Sequence, residues 1–196
     1  MEGQAISHAV ADRCAVVTGA NKGIGLGICR QLASNGIMVI LTARDEKRGL
    51  EAVKQLKESG LSNVIFHQLD VKDSVSIASL ADFIKTQFGK LDILSEQRDV
   101  YDQTVHFKVM VGLTCSGPVD HRVSKAALNA YTRILAKKFP TFHVNCISPG
   151  FVKTDINFNV GILTVEEGAK GPVMLALIPD DGPTGFFFNQ MEVSAY

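Results

Sequence analysis

The sequence predicts an α/β fold, built as a three-layer, doubly wound and mainly parallel sheet that is reduced in its middle. Three observations lead to this prediction. Short, continuous apolar runs alternate with amphipathic stretches, which is typical of parallel strands joined by crossover helices. The first apolar run leads directly into a glycine-rich turn, and the alternation breaks down only between residues 95 and 120.

Composition indicates one domain over residues 1–196 and disfavours several classes of function. The chain has 20 basic and 20 acidic residues and no net charge, which argues against a nucleic-acid or membrane-surface partner. The apolar run 173–178 is too short to cross a bilayer. Because four cysteines lie far apart and no secretory signal is visible, we expect reduced thiols, no metal site and a cytoplasmic location.

The N-terminal half repeats a strand followed by a helix. Ile24, Ile28 and Leu32 recur at fourfold spacing, which predicts an amphipathic helix, and Gly36 is placed to end it. The same reasoning predicts two further helices and strands that are buried on both faces. The predicted strands are 14–18, 37–42, 63–69 and 91–94, and the predicted helices are 24–35, 46–59 and 73–88.

The C-terminal half is less regular. Residues 95–120 are predicted to be irregular because 95–99 are too polar to continue a buried strand, while 105–113 fit a strand or a helix. The alternation then returns. It predicts helices over 123–138 and 165–177 and strands over 142–147 and 185–188.

The turn after the first strand reads Thr-Gly-Ala-Asn-Lys-Gly-Ile-Gly over residues 18–25. Glycines let backbone N–H groups approach a pyrophosphate at a helix N-terminus, where the helix dipole favours negative charge. The place of this turn between a buried strand and an amphipathic helix favours a dinucleotide-binding site. The alternative is a tight turn that only needs positive φ angles, with Lys22 as a solvated side chain.

This turn is similar to the cofactor turn of the short-chain dehydrogenases/reductases. Further motifs of that family occur in register, namely Leu-Asp-Val at 69–71, Ser-Lys-Ala-Ala at 124–127 and Ser-Pro-Gly-Phe-Val-x-Thr at 148–154. The resemblance covers residues 12–94 and 121–190 and implies a Rossmann-like fold. Within the family, residues 129–133 and 149–155 resemble most the plant reductases of monoterpenoid and alkaloid ketones, such as menthone, neomenthol and salutaridine reductases.

The resemblance also implies which residues bind the cofactor. Asp70 and Val71 would contact the adenine, and the 149–154 motif would hold the nicotinamide amide. Structural alternatives stay open, since Asp70 can cap a turn, Pro149-Gly150 can break a strand and Thr154 can cap the next segment. The implied cofactor-binding residues are Gly19, Asn21, Lys22, Gly23, Ile24, Gly25, Asp70, Val71, Lys125, Pro149, Gly150, Val152 and Thr154.

The end of the second predicted strand indicates which nicotinamide cofactor binds. An acidic residue there would bind the ribose 2′-OH of NAD, whereas arginine suits the 2′-phosphate of NADP. Arg44 stands at this position and offers a planar fork that binds phosphate bidentately. Lys22 is placed to face the same phosphate, and Asp45 fits better as the cap of the following helix. The sequence therefore favours NADP(H).

The catalytic positions depart from the pattern of the family. The family has a tyrosine four residues before a lysine, one helical turn apart. Lys125 fits the lysine position, but His121 stands where the tyrosine is expected. None of the tyrosines in the sequence has the required spacing from Lys125. Imidazolium is a competent acid near neutral pH, whereas the neighbouring lysine disfavours a second positive charge. His121 is therefore either the proton donor or a passive replacement.

The segment before this lysine is shorter than in the family. Only 33 positions separate Asp92 from Lys125, and the sequence has no Asn-Asn-Ala-Gly turn. The long helix and fifth strand that the family places there have no room, and no serine can be assigned as the catalytic one. These departures predict an internal deletion, with a splice form or a gene-model product as its origin, and strand edges that it leaves uncovered.

The resemblance implies an NADP(H)-dependent oxidoreductase that reduces a small apolar ketone or oxidises the corresponding alcohol. Lys125 would anchor the nicotinamide ribose, and His121 or water would supply the proton. Two alternatives stay open because of the altered site. One is a catalytically impaired nucleotide-binding protein, and the other is a non-functional isoform.

Overall fold

The structure, a computed structural model, describes residues 13–96 and 120–194, and over 120–128 it gives the backbone only. These ranges contain two small sheets and the helices that pack on them. The strands are β1 (Cys14–Val17), β2 (Met38–Ala43), β3 (Val64–Gln68), β4 (Ile93–Ser95), β5 (Cys146–Ser148), β6 (Phe187–Asn189) and β7 (Glu192–Val193). The α-helices are α1 (Gly23–Ser34), α2 (Glu46–Glu58), α3 (Ser74–Phe88), α4 (Asp120–Lys138) and α5 (Val165–Ala176).

The first sheet is parallel, with the strand order β3-β2-β1-β4. Every residue of β1 and β2 is buried, as expected for a sheet with helices on both faces. Along β1 the side chains alternate between two hydrophobic clusters. Ala15 and Val17 pack with residues of α1, α2 and α5, whereas Val16 packs with residues of α3 on the opposite face. The predicted three-layer arrangement is confirmed.

The second sheet has the order β5-β6-β7, in which β5 and β6 are parallel and β6 and β7 are antiparallel. Over residues 13–96 and 120–194, no hydrogen-bonded strand pair joins this sheet to the first. Strands β4 and β5 flank residues 97–119, which lie outside the described ranges and belong to the part of the sequence that was predicted to be reduced.

Helix α5 connects the two sheets through its packing. Ala169 and Val173 belong to the large hydrophobic cluster of the first sheet, whereas Leu175 packs with residues of the second. Gly27 of α1 permits this arrangement. A Cβ built on Gly27 would lie 2.9 Å from Val165 Cγ1 and 3.1 Å from Ala169 Cβ. The small residue lets α1 and α5 approach closely, so one helix contributes to both hydrophobic clusters.

The predicted order of strands and helices is confirmed, but several boundaries change. The strand predicted over 142–147 is wrong for 142–145, because residues there bond to the loop before β6. Val144 N–H donates to Thr184 Oγ1 (3.0 Å), and Asn145 Nδ2 donates to the Pro183 carbonyl (2.7 Å). Strand β7 and a 3-10 turn at Asp155–Asn157 were not predicted.

The irregular segment predicted over 95–120 is shorter at both ends. Ser95 belongs to β4 and Asp120 begins α4. Although it is polar, Ser95 is fully buried, and its carbonyl accepts a hydrogen bond from Thr18 N–H (2.9 Å). The possible strand over 105–113 lies outside the described residues.

Candidate cofactor-binding site

The glycine turn between β1 and α1 has the backbone conformation that its sequence predicts. Gly19 and Gly23 both have φ of 57°, a left-handed value that residues with a Cβ rarely adopt. Gly25 is required for a different reason. A Cβ there would lie 2.9 Å from Ala20 Cα and 3.0 Å from the Gly19 carbonyl oxygen, so only glycine lets α1 start this close to the turn.

Hydrogen bonds to neighbouring strands fix the turn in place. Thr18 N–H donates to β4, and Ala20 N–H donates to the Thr42 carbonyl of β2 (2.9 Å). Lys22 is the N-cap of α1, and its extended φ of −164° is accessible to any residue. A lysine ammonium cannot accept the N–H groups of the first helical turn. These donors, together with the positive end of the helix dipole, suit an anion.

Arg44 follows β2, at the same edge of the sheet as the glycine turn. Its side chain is exposed, and within the described residues it has no ion-pair partner. Gln68 of β3 donates to the Arg44 carbonyl (2.8 Å), which positions the backbone. Asp45 caps α2, as predicted, by accepting from Arg48 N–H (2.9 Å). The capping carboxylate is thus engaged, and the Arg44 guanidinium is available to a phosphate.

Arg48 adds a second cation that the sequence analysis did not single out. It lies in the first turn of α2, and its Nε is 3.7 Å from the Asp45 carboxylate. The sequence could have indicated Arg48, because a residue in the first turn of the helix that follows β2 lies close to the end of that strand.

Asp70 and Val71 follow β3 at the same edge. The Asp70 carboxylate accepts from Lys72 N–H (3.0 Å), and the Asp70 N–H donates to Ser76 Oγ (3.0 Å). Asp70 therefore does cap a turn, which was its structural alternative. Val71 is 42% exposed, which is common for a single apolar residue at a protein surface.

The segment after β5 reaches the glycine turn from the other half of the chain. Pro149 and Val152 are buried, and Gly150 has φ of 89°. Thr154 packs against the turn, because its Cγ2 lies 3.6 Å from where a Cβ on Gly23 would be. Thr154 N–H donates to Asn157 Oδ1 (3.1 Å) at the start of the 3-10 turn, so its predicted capping alternative is also present.

Lys22 is placed differently from the sequence-based expectation. Its Nζ donates to the Asp155 carboxylate at 2.6 Å, across 133 positions of sequence, and both side chains are more than half exposed. The hydrogen bond from Lys22 holds the pKa of Asp155 below its ordinary value. The lysine thus bridges the glycine turn and the segment after β5, and it does not point freely toward a ribose phosphate.

The two catalytic candidates lie in the first half of α4. His121 and Lys125 are one helical turn apart in its backbone, which places them on the same face. Their side chains lie outside the described part of the chain. The helix begins earlier than the predicted residue 123, so both positions are helical.

Three of the four cysteines lie among the described residues, and all three are buried and free. Burial raises the pKa of Cys14 to about 12 and that of Cys146 to about 11. Over residues 13–96 and 120–194, no group of three His, Cys, Asp or Glu side chains is placed to hold a metal ion. In the same ranges, no helix has the length and apolar character needed to cross a membrane.

The chain is similar in sequence and in fold to known proteins. A family model described as short chain dehydrogenase matches residues 13–98. Salutaridine reductase of Papaver bracteatum is 36% identical over 299 residues, covering 94% of this chain and 96% of the relative. A (+)-neomenthol dehydrogenase of Arabidopsis thaliana is 37% identical over 290 residues, covering 94% and 98%. The solved salutaridine reductase of Papaver somniferum superposes with a TM-score of 0.77 at 35% identity, covering 90% and 99%.

The aligned lengths also show the internal deletion. An alignment of 299 positions is 103 positions longer than this chain of 196 residues. At least 103 positions of the relative are therefore aligned with a gap in this chain, although the match extends over nearly the whole relative. The chain lacks an internal segment that its relatives have.

Proposed function

Because the chain belongs to the short-chain dehydrogenase/reductase family, whose members are oxidoreductases, we propose that it is an NADP(H)-dependent enzyme. Its substrate would be a small apolar ketone, or the corresponding alcohol in the reverse direction. The observation that carries this proposal is that two distant segments of the chain meet at the glycine turn. The Lys22–Asp155 ion pair joins the turn to the segment after β5, and Thr154 faces Gly23.

The conformation of the glycine turn supports dinucleotide binding. The glycine turn leaves no room for a Cβ at Gly25, and the first turn of α1 has N–H donors for a pyrophosphate. Gly19, Asn21, Lys22, Gly23 and Ile24 complete this cradle in our proposal. Asp70 and Val71 would border the adenine, and Pro149, Gly150, Val152 and Thr154 the nicotinamide amide.

The charge near the end of β2 favours NADP(H) over NAD(H). Arg44 has no acidic partner among the described side chains, and Arg48 lies one turn further along α2. The neighbouring Asp45 carboxylate caps α2 by accepting from Arg48 N–H. This cationic environment supports binding of a 2′-phosphate.

When bound, the cofactor supplies a hydride for the carbonyl carbon, and the chain has to supply a proton for the oxygen. We propose that His121 or a water delivers this proton, and that the Lys125 ammonium holds the nicotinamide ribose and stabilises the developing negative charge. The helical spacing of the two residues supports a shared site. In this proposal residues 1–196 act as one dinucleotide-binding domain, and the free buried thiols support a cytoplasmic location.

The substrate class rests on the relatives. Two proteins that match most of the chain are named for salutaridine and for neomenthol, an alkaloid ketone and a monoterpenoid alcohol. We propose a substrate of similar size and apolar character. The missing internal segment would alter the shape of such a pocket.

Cofactor binding gives the direct test of this proposal. NADPH should bind at least about tenfold more tightly than NADH, since a charge-assisted contact contributes about 1.5–3 kcal/mol. Arg44→Ala should remove most of this preference and leave the NADH affinity nearly unchanged. Calorimetric titration of both cofactors measures the two dissociation constants.

Lys54→Ala is the matched control for this experiment. It removes the same charge from an exposed position of α2, where Lys54 pairs weakly with Glu58 at 4.0 Å. The control should bind both cofactors as the unaltered chain does. Equal affinity for NADPH and NADH, or an equal loss in the two variants, would contradict the assignment of Arg44.

A second candidate function is cofactor binding without efficient turnover. It is favoured by His121 at the tyrosine position and by the positions of the relatives that this chain lacks. NADPH oxidation with a panel of monoterpenoid and alkaloid ketones separates the two candidates. Turnover that His121→Ala abolishes supports a histidine proton donor. Tight NADPH binding without turnover, unchanged by His121→Tyr, supports the second candidate.

A further inference from the structure

The segment after β5 forms a closed loop over residues 153–162. Lys153 N–H donates to the Leu163 carbonyl (2.8 Å), and Ile162 N–H donates to the Phe151 carbonyl (2.8 Å), which ties its two ends together. Gly161 lies directly against the backbone at residues 152–153, so a Cβ there would overlap main-chain atoms. The 153–162 loop is therefore a compact unit with a fixed base.

The outer surface of this loop is apolar. Phe158 is 89% exposed and Ile162 is 79% exposed, and Ile156 and Val160 are more than half exposed. Phe158 and Asn159 both adopt left-handed φ angles, 54° and 60°, which are strained for residues with a Cβ. Exposed apolar side chains on a strained loop indicate a segment that is held in place by specific contacts.

Two contacts hold the loop against the glycine turn. One is the approach of Thr154 to Gly23, where a Cβ would be in van der Waals contact with Thr154 Cγ2, and the other is the ion pair between Lys22 and Asp155. The pKa of Asp155 lies below its ordinary value because Lys22 donates to its carboxylate. A second ion pair also joins the two halves, between Arg30 of α1 and Glu166 of α5 at 3.4 Å. That pair lies away from the glycine turn and offers an internal comparison.

Lys22 has two possible partners. In the structure it pairs with Asp155, whereas its place in the glycine turn beside Arg44 makes the 2′-phosphate of a bound cofactor the alternative partner. A single ammonium held by the carboxylate has to reorient to reach the phosphate, and a carboxylate close to a phosphate is electrostatically unfavourable. Binding of the phosphate and the Lys22–Asp155 pair therefore oppose each other.

We propose that Asp155 tunes cofactor affinity by competing with the 2′-phosphate for Lys22, and that phosphate binding thereby releases the 153–162 loop from the glycine turn. This inference rests on the proposed NADP(H) function. It makes Asp155 a positioning residue, since it acts through Lys22. Its consequence is a coupling between the phosphate site and the apolar loop surface, which are otherwise separate in sequence.

The test is a double-mutant cycle on cofactor binding. Asp155→Asn should tighten NADPH binding by about two- to fivefold, the range for losing a competing exposed ion pair, and leave NADH binding unchanged. In a Lys22→Gln background the same Asp155→Asn change should have no effect, because the competition runs through the ammonium. Glu166→Gln, which breaks the other ion pair between the halves, is the matched control and should bind NADPH as the unaltered chain does.

Hydrogen exchange of the loop provides a readout that is independent of activity. Adenosine 2′,5′-bisphosphate serves as the probe. It should accelerate exchange of the loop amides that donate within the loop, at Phe158, Asn159 and Val160. The Asp155→Asn variant should show the faster exchange without the probe and no further change with it.

The outcomes separate this inference from the proposed function. If NADPH binds in preference to NADH but Asp155→Asn has no effect, the inference is overturned and the proposed function stands. If Asp155→Asn also tightens NADPH binding in the Lys22→Gln background, the inference is overturned, because repulsion between the Asp155 carboxylate and the phosphate then explains the effect without Lys22. If the unaltered chain does not distinguish NADPH from NADH, the proposed function fails and the inference fails with it.

Discussion

The two sheets differ in how their hydrophobic clusters are closed. The first sheet, β3-β2-β1-β4, has helices on both faces, and the side chains of β1 and β2 are fully enclosed. The second sheet has smaller clusters, one around Ile147 and Phe188 and one around Leu135 and Val144. The first sheet carries the glycine turn and Arg44. The comparison shows that the first sheet is enclosed on both faces and draws part of its core from α5, and that the second sheet also depends on contacts that α5 makes.

Helix α5 contributes side chains to the hydrophobic clusters of both sheets. Its residues Ala169 and Val173 complete the large cluster of the first sheet, and Leu175 closes a cluster of the second. A chain that lacks an internal segment of its relatives has fewer elements to cover each sheet. Among the described residues, the halves are joined by the close packing of α1 on α5 and by the loop contacts described above.

The largest effect is expected in the core of the first sheet. Leu32→Ala should lower the free energy of unfolding by about 2–5 kcal/mol, because Leu32 is fully buried and its removal leaves a cavity. Leu50→Ala is the matched control, since Leu50 is 52% exposed, and it should change stability by less than about 0.5 kcal/mol. Urea denaturation measures both. Similar losses for the two variants would show that the first sheet is not the closed core described here.

A smaller effect is expected at the joint between the halves. Gly27→Ala should destabilise the chain by about 1–3 kcal/mol through overpacking against Val165 and Ala169. The expected destabilisation exceeds the gain of about 1 kcal/mol from helix propensity. Adding Val165→Ala removes the nearest contact, at 2.9 Å, and should restore part of the stability. A stabilising Gly27→Ala, measured by thermal unfolding, would mean that α1 and α5 are not closely packed.

The smallest effect concerns the N-terminus of α5. Thr164 Oγ1 accepts from Glu167 N–H (3.1 Å), and Thr164 N–H donates to the Glu167 carboxylate (2.8 Å). The backbone hydrogen bond from Thr164 lowers the pKa of Glu167 below its ordinary value of 4.5. A lowered carboxyl pKa stabilises the folded state above about pH 4.5, and this contribution is lost as the pH falls through the folded pKa.

Two variants test this capping box. Thr164→Ala should cost about 1 kcal/mol at neutral pH, and Glu167→Gln should weaken the acid dependence of stability below about pH 4.5. Both are measured by urea denaturation at several pH values. The same acid dependence in Glu167→Gln as in the unaltered chain would show that this carboxylate does not stabilise α5.

Local patterns in the sequence were sufficient for the first sheet. The spacing of Ile24, Ile28 and Leu32 predicted α1 to within one residue at each end, and Asp45 was recognised as a helix cap. These features depend on neighbours along the chain, so they can be read without a tertiary structure. The glycine turn belongs to the same class, because the requirement for positive φ is local.

Long-range pairing was not predictable in the same way. The first residues of the strand predicted over 142–147 bond instead to Pro183 and Thr184. Ser95 looked too polar for a buried strand, but pairing with β1 buries it. In each case the partner lies far away in sequence, so composition alone does not identify it.

The sequence by itself determined the α/β class, the glycine turn, the cation after β2 and the departure from the family at His121. These follow from residue type and spacing, which are properties of a short stretch of chain. Only the tertiary structure decided that α5 packs on α1 and that, within residues 13–96 and 120–194, no strand pair joins the two sheets. It also decided that Lys22 pairs with Asp155, 133 positions away. The reason is physical, since ion pairs and strand edges are satisfied by whichever groups the packing of the core brings together.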